Sequence, residues 1–399
     1  MAVWTLVVGT GVSVLGNSAL TTGVIWLVVT GYHDPGAAGL TLAVCSVVGI
    51  ILSPLAGIIL DRSRGILLMV VVDTVLFLVF AGLAGFIALH GASFTVLFVA
   101  MVSAAMGSTV SSPGLHMLLS RCIEPAERRE TNAKLYSGAR IGQIVGPLMG
   151  GGLLGIGGES GLIIFDALTF LTSAGAVTWV LRRERLVTTT GGGPVRRGGS
   201  RDAVTFILGS RVVLSIILLG AMVNTVTSGF GVVLPVLVDR ASGSAASFGL
   251  IYGCYQAAML FATILLGLKL ISRFLRVKDV LAIGISLCVF SIGIFISVAT
   301  NELPILALAV VAIGVGLSST ALVADTALVT SVPEPIQGTV FAVSNSILSM
   351  LRPLGSAGAG FLVGVSVLLT GTIAAGVGLL CAVLFACQRW EHVIGQEGS

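Results

Sequence analysis

Charge is scarce in this sequence. Asp, Glu, Lys and Arg make up 10% of its 399 residues, against about 25% in ordinary globular proteins. So few charges cannot cover a soluble surface of this size, and hydrophobic residues make up 56%. The net charge of +4 is not gathered into a groove. Basic residues instead punctuate apolar runs, which argues against a nucleic-acid partner and for the ends of membrane helices. Paired cysteines are also missing. Cys45, Cys122, Cys254, Cys288, Cys381 and Cys387 are scattered without a CxxC, and they read as small packing residues, neither disulfides nor metal ligands. There is no HExxH, no metal-spaced His/Cys set and no P-loop. Those absences argue against an enzyme and against a self-contained ATP-driven pump, and no cofactor is expected. No basic n-region and no cleavage site precede the first apolar run, which is expected to remain as a helix.

What the chain has in abundance is apolar length. A membrane helix needs roughly 20 apolar residues. Such runs fall at 4–30, 37–60, 66–89, 93–119, 131–156, 161–181, 211–238, 247–272, 279–299, 304–330, 336–363 and 367–388. Twelve spans predict an all-α membrane protein. With the N-terminus inside, 18 of the 21 Lys and Arg residues collect on the cytoplasmic side. That bias places both termini in the cytoplasm. Trp4, Trp26, Trp179 and Trp390 lie at predicted helix ends, where indole prefers the interface. The one long loop, about 182–210, holds TTTGGGPVRRGGS, a flexible linker. Arg201 to Ser210 could form a short amphipathic helix on the surface. The expected organisation is a six-helix half over 1–185, a linker with that surface helix over 186–210, and a second half with a short cytoplasmic tail over 211–399.

The two halves echo each other. CIEPAERRETNAK precedes GPLMGG in the fifth span, and SVPEPIQGTVFA precedes RPLGSAG in the eleventh. Pro125 then matches Pro333, and Pro147-Leu148 matches Pro353-Leu354. Small residues recur every fourth position on four spans. They are Gly49, Ser53 and Gly57 in the second; Gly138, Gly142, Gly146 and Gly150 in the fifth; Gly249, Gly253 and Ala257 in the eighth; and Ser356, Gly360 and Gly364 in the eleventh. Such stripes let backbones approach closely in lipid, and they are expected to form seams along which one half rocks against the other.

Several motifs resemble those of a known family. Gly57-Ile-Ile-Leu-Asp61-Arg62-Ser63-Arg64 resembles the loop signature G-x-x-x-D-R-x-x-R of the major facilitator superfamily, although Gly65 and Ile66 replace its further basic residues. Asp73, Ser112-Pro113, Thr131-Asn132-Ala133 and Phe165-Asp166-Ala167-Leu168-Thr169-Phe170 look like the drug/proton antiporter branch that includes macrolide efflux and enterobactin export proteins. Gly142, Gly146, Pro147, Gly150 and Gly151 resemble the helix-five signature associated with exporters. The resemblance implies the major facilitator fold of two pseudo-symmetric six-helix halves, a small-molecule substrate and alternating access. Gly57, Asp61, Arg62 and Arg64 suit a gate latch, because Asp61 could accept hydrogen bonds from the unpaired backbone donors at a neighbouring helix N-terminus.

Ionisable residues within the membrane are costly and usually functional. Asp166, Asp73 and Asp325 are the proton-coupling candidates. A carboxyl in a low dielectric favours its neutral form and so can carry a proton. Asp166, near the external end of the sixth span, is the first choice, and Asp73 is assigned to a charge network with Asp61 and Arg121. Arg140 and Arg352 are expected to be the deepest charges. They cannot readily deprotonate, so they lean the substrate toward an anionic or acceptor-bearing compound, unless each is clasped structurally by an acid. Asn17, Gln143, Asn224, Gln256 and Asn345 complete the candidate substrate-binding set. The expected activity is proton-coupled export of a small amphipathic compound (a drug, secondary metabolite or siderophore) by a monomer spanning a bacterial inner membrane. The alternatives are a nutrient importer or facilitative carrier of the same fold and, from another class, a non-transporting membrane sensor.

Overall fold

The computed structural model describes residues 2–60, 65–122, 127–183, 200–267 and 279–387. All regular structure among them is helical: α1 (Ala2–Trp26) with a π-helical turn (Leu27–Gly31), α2 (Pro35–Leu60), α3 (Gly65–His90), α4 (Phe94–Cys122), α5 (Arg128–Arg183), α6 (Ser200–Gly209), α7 (Arg211–Arg240), α8 (Ala245–Gly267), α9 (Asp279–Ala299), α10 (Leu303–Ser331), α11 (Glu334–Met350), α12 (Arg352–Val365) and α13 (Val367–Cys387). Among the described residues, eleven helical runs are long and apolar enough to cross a membrane, with α11 and α12 forming one of them.

The longest helix, α5, is interrupted at Gly158, where φ is 61° and ψ is −161°. Side chains rarely tolerate that backbone conformation. Its two arms, α5a (128–157) and α5b (159–183), are each long enough to cross, and counting them separately gives the twelve expected spans. The break falls between the fifth and sixth runs of the sequence. The chain is therefore an all-α, multi-pass membrane protein. The expected end of the eighth run, 268–272, lies outside the described residues.

Local chemistry sets several helix boundaries. The π turn closes when Tyr32 N–H donates to the Leu27 carbonyl at 3.1 Å. His33 then takes a left-handed φ of 52°. The Asp34 carboxylate accepts from Ala37 N–H at 2.8 Å, capping α2 at Pro35. Pro54, Pro113, Pro147 and Pro235 sit inside helices, as membrane helices allow when neighbouring groups satisfy the freed carbonyls. Large apolar side chains such as Leu89, Ile156, Leu308 and Val365 are more than 70% exposed, which suits surfaces meeting lipid.

Two compact units emerge. The first comprises the described part of Met1–Gly192 with Ser242–Gly253; the second comprises the described part of Gly193–Ala241 with Cys254–Ser399. In the first, Leu6, Val7, Leu60, Met69, Leu118, Leu135, Val177 and Val180 form a buried cluster. In the second, α6 turns Ala203 and Ile207 into a core with Val213 and Ile216 of α7 and Val340 of α11. Full burial of a residue such as Ile207 contributes about 1.5–3 kcal/mol, and packing of this kind supports a ten-residue helix that would not persist alone.

The small-residue stripes do not all serve as expected. A Cβ on Gly138 would meet the Val7 carbonyl oxygen at 3.0 Å, and one on Gly142 the Gly11 carbonyl oxygen at 2.6 Å. Gly146 faces Leu15 and Ser18, and Gly150 faces Ala19. The fifth-span stripe thus packs on α1 inside the first unit. The neighbouring face of the same helix meets the start of α8, within the same unit. There Gly249 abuts the Pro147 carbonyl, Gly151 abuts Ala245, and a Cβ on Gly253 would lie 3.1 Å from the Ile144 carbonyl oxygen. Trp26 stacks on Phe248 at 5.5 Å beside this contact. Gly49 and Gly57 of α2 face open space, as does Gly364 of α12.

The second unit repeats the first unit's crossing. Gly229 of α7 would meet the Gly355 carbonyl oxygen at 2.9 Å, and Ser228 Oγ donates to the Arg352 carbonyl at 2.9 Å. Ser18 meets Gly146 as Ser228 meets Arg352. The offsets, 210 and 206 positions, are close to those of the repeated proline motifs in the sequence.

Candidate functional site

Helical periodicity gathers polar groups on the inner faces of the first unit. On α3, Met69, Asp73, Leu76, Phe80, Ala84 and Ile87 form one buried stripe at three- and four-residue spacing. On α5b, Asp166, Phe170, Ser173, Val177 and Val180 do the same. Phe80 and Phe170 meet edge to face at 5.2 Å and lock the two stripes together. Each stripe therefore carries an acid into an apolar interior, where an unpaired charge is costly.

Between α1, α3, α4, α5a and α5b lies a cavity of about 240 Å³. Its wall is mostly apolar, formed by residues such as Leu6, Met69, Leu135 and Phe170. Hydroxyl and amide groups interrupt it: Ser13 and Asn17 from α1, Ser108 and Ser111 from α4, Asn132 and Tyr136 from α5a, and Ser173 from α5b. Among the described residues, no charged side chain lines it. A space of this kind, apolar with a few placed polar groups, is the usual form of a small-molecule site.

Asp73 stands behind this wall. Only 1% of it is exposed. Ser173 Oγ donates to its Oδ2 at 2.7 Å, and Ser111 Oγ reaches its Oδ1 at 3.5 Å. Both serines line the cavity, so a molecule there would touch the donors that hold the carboxylate. Among the described residues its partners are hydroxyls, from Ser173 and Ser111. Asp61 and Arg121, the other expected members of its charge network, fall outside the residues described in side-chain detail.

Asp166 is fully buried. Thr169 Oγ1 donates to its Oδ1 at 3.0 Å, while Oδ2 has no hydrogen-bond partner in the described structure. The carboxyl packs directly on Gly16 of α1, where a Cβ would collide with Oδ1 and with Thr169. Gly16 adjoins Asn17, and Asp166 precedes Phe170 by one turn; both neighbours line the cavity. Among the described residues, neither Asp73 nor Asp166 forms a salt bridge, and Lys134 pairs with Glu130 at 2.6 Å.

The remaining candidates are dispersed. Of the proposed binding residues in the first unit, Asn17 lines the cavity, and Arg140 and Gln143 do not. Arg140 is exposed and donates to Gln143 Oε1 at 2.9 Å. Arg352 is also exposed. The expectation that these arginines are the deepest charges is therefore corrected: among the described residues the buried charges are Asp73 and Asp166, which fall on inward stripes. In the second unit, Asn224 is half-buried and spends its amide on the Gly220 carbonyl at 3.1 Å, Gln256 is half-buried, and Asn345 and Asp325 are exposed. In the loop motif Gly57 is half-buried, while Asp61, Arg62 and Arg64 lie outside the described residues. Ser111 and Ser173 were missed by sequence reasoning. For Ser173 the signal was present in the spacing of Asp166, Thr169 and Ser173, a polar line on an otherwise apolar helix face.

Comparison with known proteins matches this geometry to a fold. A family model described as Major Facilitator Superfamily matches residues 6–356. No curated protein matches the chain. A bacterial homologue of the iron transporter ferroportin, in an inward-facing state, superposes with a TM-score of 0.76 at 15% identity, covering 97% of this chain and 99% of that one. A POT family transporter in complex with 5-aminolevulinic acid gives a TM-score of 0.76 at 11% identity, covering 96% and 94%. A mutant of the nucleoside transporter NupG gives 0.72 at 14% identity, covering 96% and 99%. At such identities the likeness is one of fold.

Proposed function

The chain belongs to the major facilitator superfamily, and from that premise we propose that it is a secondary active transporter exporting a small amphipathic compound in exchange for protons. The observation that carries this reading is a cavity flanked by two fully buried carboxyls with no basic partner among the described residues. A buried, unpaired carboxylate is costly, and a proton removes the charge. Such groups are what a proton-coupled cycle needs, since guanidinium groups stay charged throughout.

Asp166 is the proposed carrier. Its Oδ2 is unsatisfied as it stands, and its carboxyl lies against the α1 backbone at Gly16. Gain or loss of a proton there changes the charge at the α1–α5b contact, one residue from Asn17 in the cavity wall. That adjacency couples the proton to whatever occupies the cavity. Asp73 is the proposed sensor of occupancy, because its two donors belong to the wall. Asp61, with Arg62 and Arg64, is the proposed latch of the gate. The outward direction rests on the run Gly142, Gly146, Pro147, Gly150 and Gly151, which is similar to that of exporters. The proposed setting is a bacterial inner membrane with both termini in the cytoplasm.

Inverted membrane vesicles test the reading. An imposed pH gradient, acid inside, should drive uptake of an amphiphile from a panel of uncharged compounds, and collapsing the gradient should abolish it. Accumulation indifferent to the gradient would mark a facilitative carrier instead.

A further inference from the structure

Two spaces flank the same helix pair. The cavity lies on the inner side of α1 and α5b. On their outer side runs an open cleft lined by Trp4, Val8 and Val12 from α1 and by Thr172, Gly175 and Trp179 from α5b. Gly9 and Ala176 line both spaces. A Cβ on Gly9 would lie 2.7 Å from Ala176 Cβ. The partition between cavity and cleft is therefore one residue thick on each helix: a glycine without a side chain facing a single methyl group.

The chemistry on the two sides matches. Among the described residues, neither space is lined by a charged side chain. The outer cleft carries a tryptophan from each helix, and Trp4 is 59% exposed with the Lys134 ammonium 5.6 Å from its ring centre. Indole beside a cation marks the level of the lipid headgroups. Val8 and Val12 continue the cleft away from that level in apolar fashion. Beyond the partition the cavity offers hydroxyls and amides set in hydrocarbon. A phospholipid headgroup would bring a charge into a cavity with no lining counter-charge among the described residues. An anionic substrate would meet the same obstacle, since Arg140 is turned to Gln143.

We infer that the cleft between α1 and α5b is a membrane-side port through which a small uncharged amphiphile, dissolved in the bilayer, reaches the cavity past Gly9 and Ala176. The inference rests on the transporter reading and supplies its substrate class. The leaflet concerned is the one at the Trp4 and Trp179 end, cytoplasmic in the orientation that the basic residues predict. Passage requires that the two helices part at Gly9–Ala176, where the contact is a backbone against a single methyl group. Each helix keeps its internal hydrogen bonds, so no backbone group is left unsatisfied in lipid. Asp166 abuts α1 at Gly16, two turns along the same helix pair, so its protonation bears on that parting.

The test uses 4-(hydroxymethyl)benzophenone, a neutral photoreactive amphiphile, with the full-length protein in phosphatidylethanolamine–phosphatidylglycerol vesicles. Photolabelled residues are mapped by mass spectrometry. The wild type should be labelled at cleft residues Val8 and Val12 and also at cavity residue Tyr136. Ala176→Gly thins the partition and should raise labelling at Tyr136 severalfold relative to Val8. A disulfide between cysteines in the double variant Gly9→Cys, Ala176→Cys should suppress labelling at Tyr136 while sparing Val8, and a reductant should restore it. If the double variant does not fold, Ala176→Gly alone decides. Tyr136 labelling unchanged by these variants overturns the port, as does labelling confined to the cleft, which would mark an ordinary lipid-facing groove. Proton-driven transport of the same probe, assayed separately, distinguishes the two ideas: transport with an indifferent partition sinks the port and leaves the transporter reading, whereas a functioning port without proton-driven transport does the reverse.

Discussion

Replacing Gly142 by alanine should loosen the first unit, although the change adds one methyl group and favours the helix. The new Cβ would stand 2.6 Å from the Gly11 carbonyl oxygen and 2.9 Å from the Leu15 nitrogen. Ordinary van der Waals contact begins at 3.4 Å, so α1 must withdraw by about 0.8 Å. Both obstacles are backbone atoms, and no rotamer change relieves them. Overpacking of this kind costs about 1–3 kcal/mol, set against a gain of about 1 kcal/mol in helix propensity over glycine. Gly152 supplies the control. It lies on the same helix, and a Cβ there meets nothing within 4 Å. Gly152→Ala should therefore take the propensity gain alone. Thermal unfolding of the purified variants in detergent should rank Gly142→Ala below Gly152→Ala by about 1–3 kcal/mol, a separation of a few degrees. Equal melting temperatures would refute the argument that α1 and α5a are locked backbone to backbone.

Three further outcomes follow from the site. In a double-mutant cycle, Asp73→Asn and Ser173→Ala should be coupled by about 1 kcal/mol or more in thermal stability, because the 2.7 Å bond joins them; additive effects would remove Ser173 as the holder of that carboxyl. Asp61→Asn should impair transport far more than membrane insertion or expression, and wild-type turnover in a well-folded variant would reject the latch. Residues 1–185 and 205–390, superposed half on half, should match helix for helix about an axis along the membrane normal, which an experimental structure checks directly; halves that fail to superpose would reject the internal repeat.

The spans were legible because apolar length is a one-dimensional property, and Gly158 broke α5 in the short gap between the fifth and sixth runs. The proline motifs gave a repeat offset close to that at which Ser228 and Arg352 reproduce the contact of Ser18 and Gly146. Faces were harder to read. A glycine stripe announces close approach without naming the partner, and the Gly138–Gly150 stripe proved to face α1. Depth along a helix was also mistaken for burial. Arg140 lies mid-span yet is exposed, whereas Asp73 and Asp166 are buried because they share faces with Phe80 and Phe170. The serines that hold Asp73 come from two other helices, 38 and 100 residues away. No local pattern connects residues so far apart in the chain.

Proton coupling through Asp166 is the central claim, and proton flux tests it most directly. Purified protein is reconstituted into liposomes containing a trapped pH-sensitive dye, and uncharged amphiphiles are added from one side with the membrane potential clamped. Wild-type protein should translocate protons when a transported amphiphile is added. Asp166→Asn should abolish that flux while still binding the amphiphile, because a carboxamide fills the site against Gly16 without carrying a proton. Undiminished amphiphile-driven proton flux in a folded Asp166→Asn protein would contradict the account and move the carrier to Asp73 or Asp325.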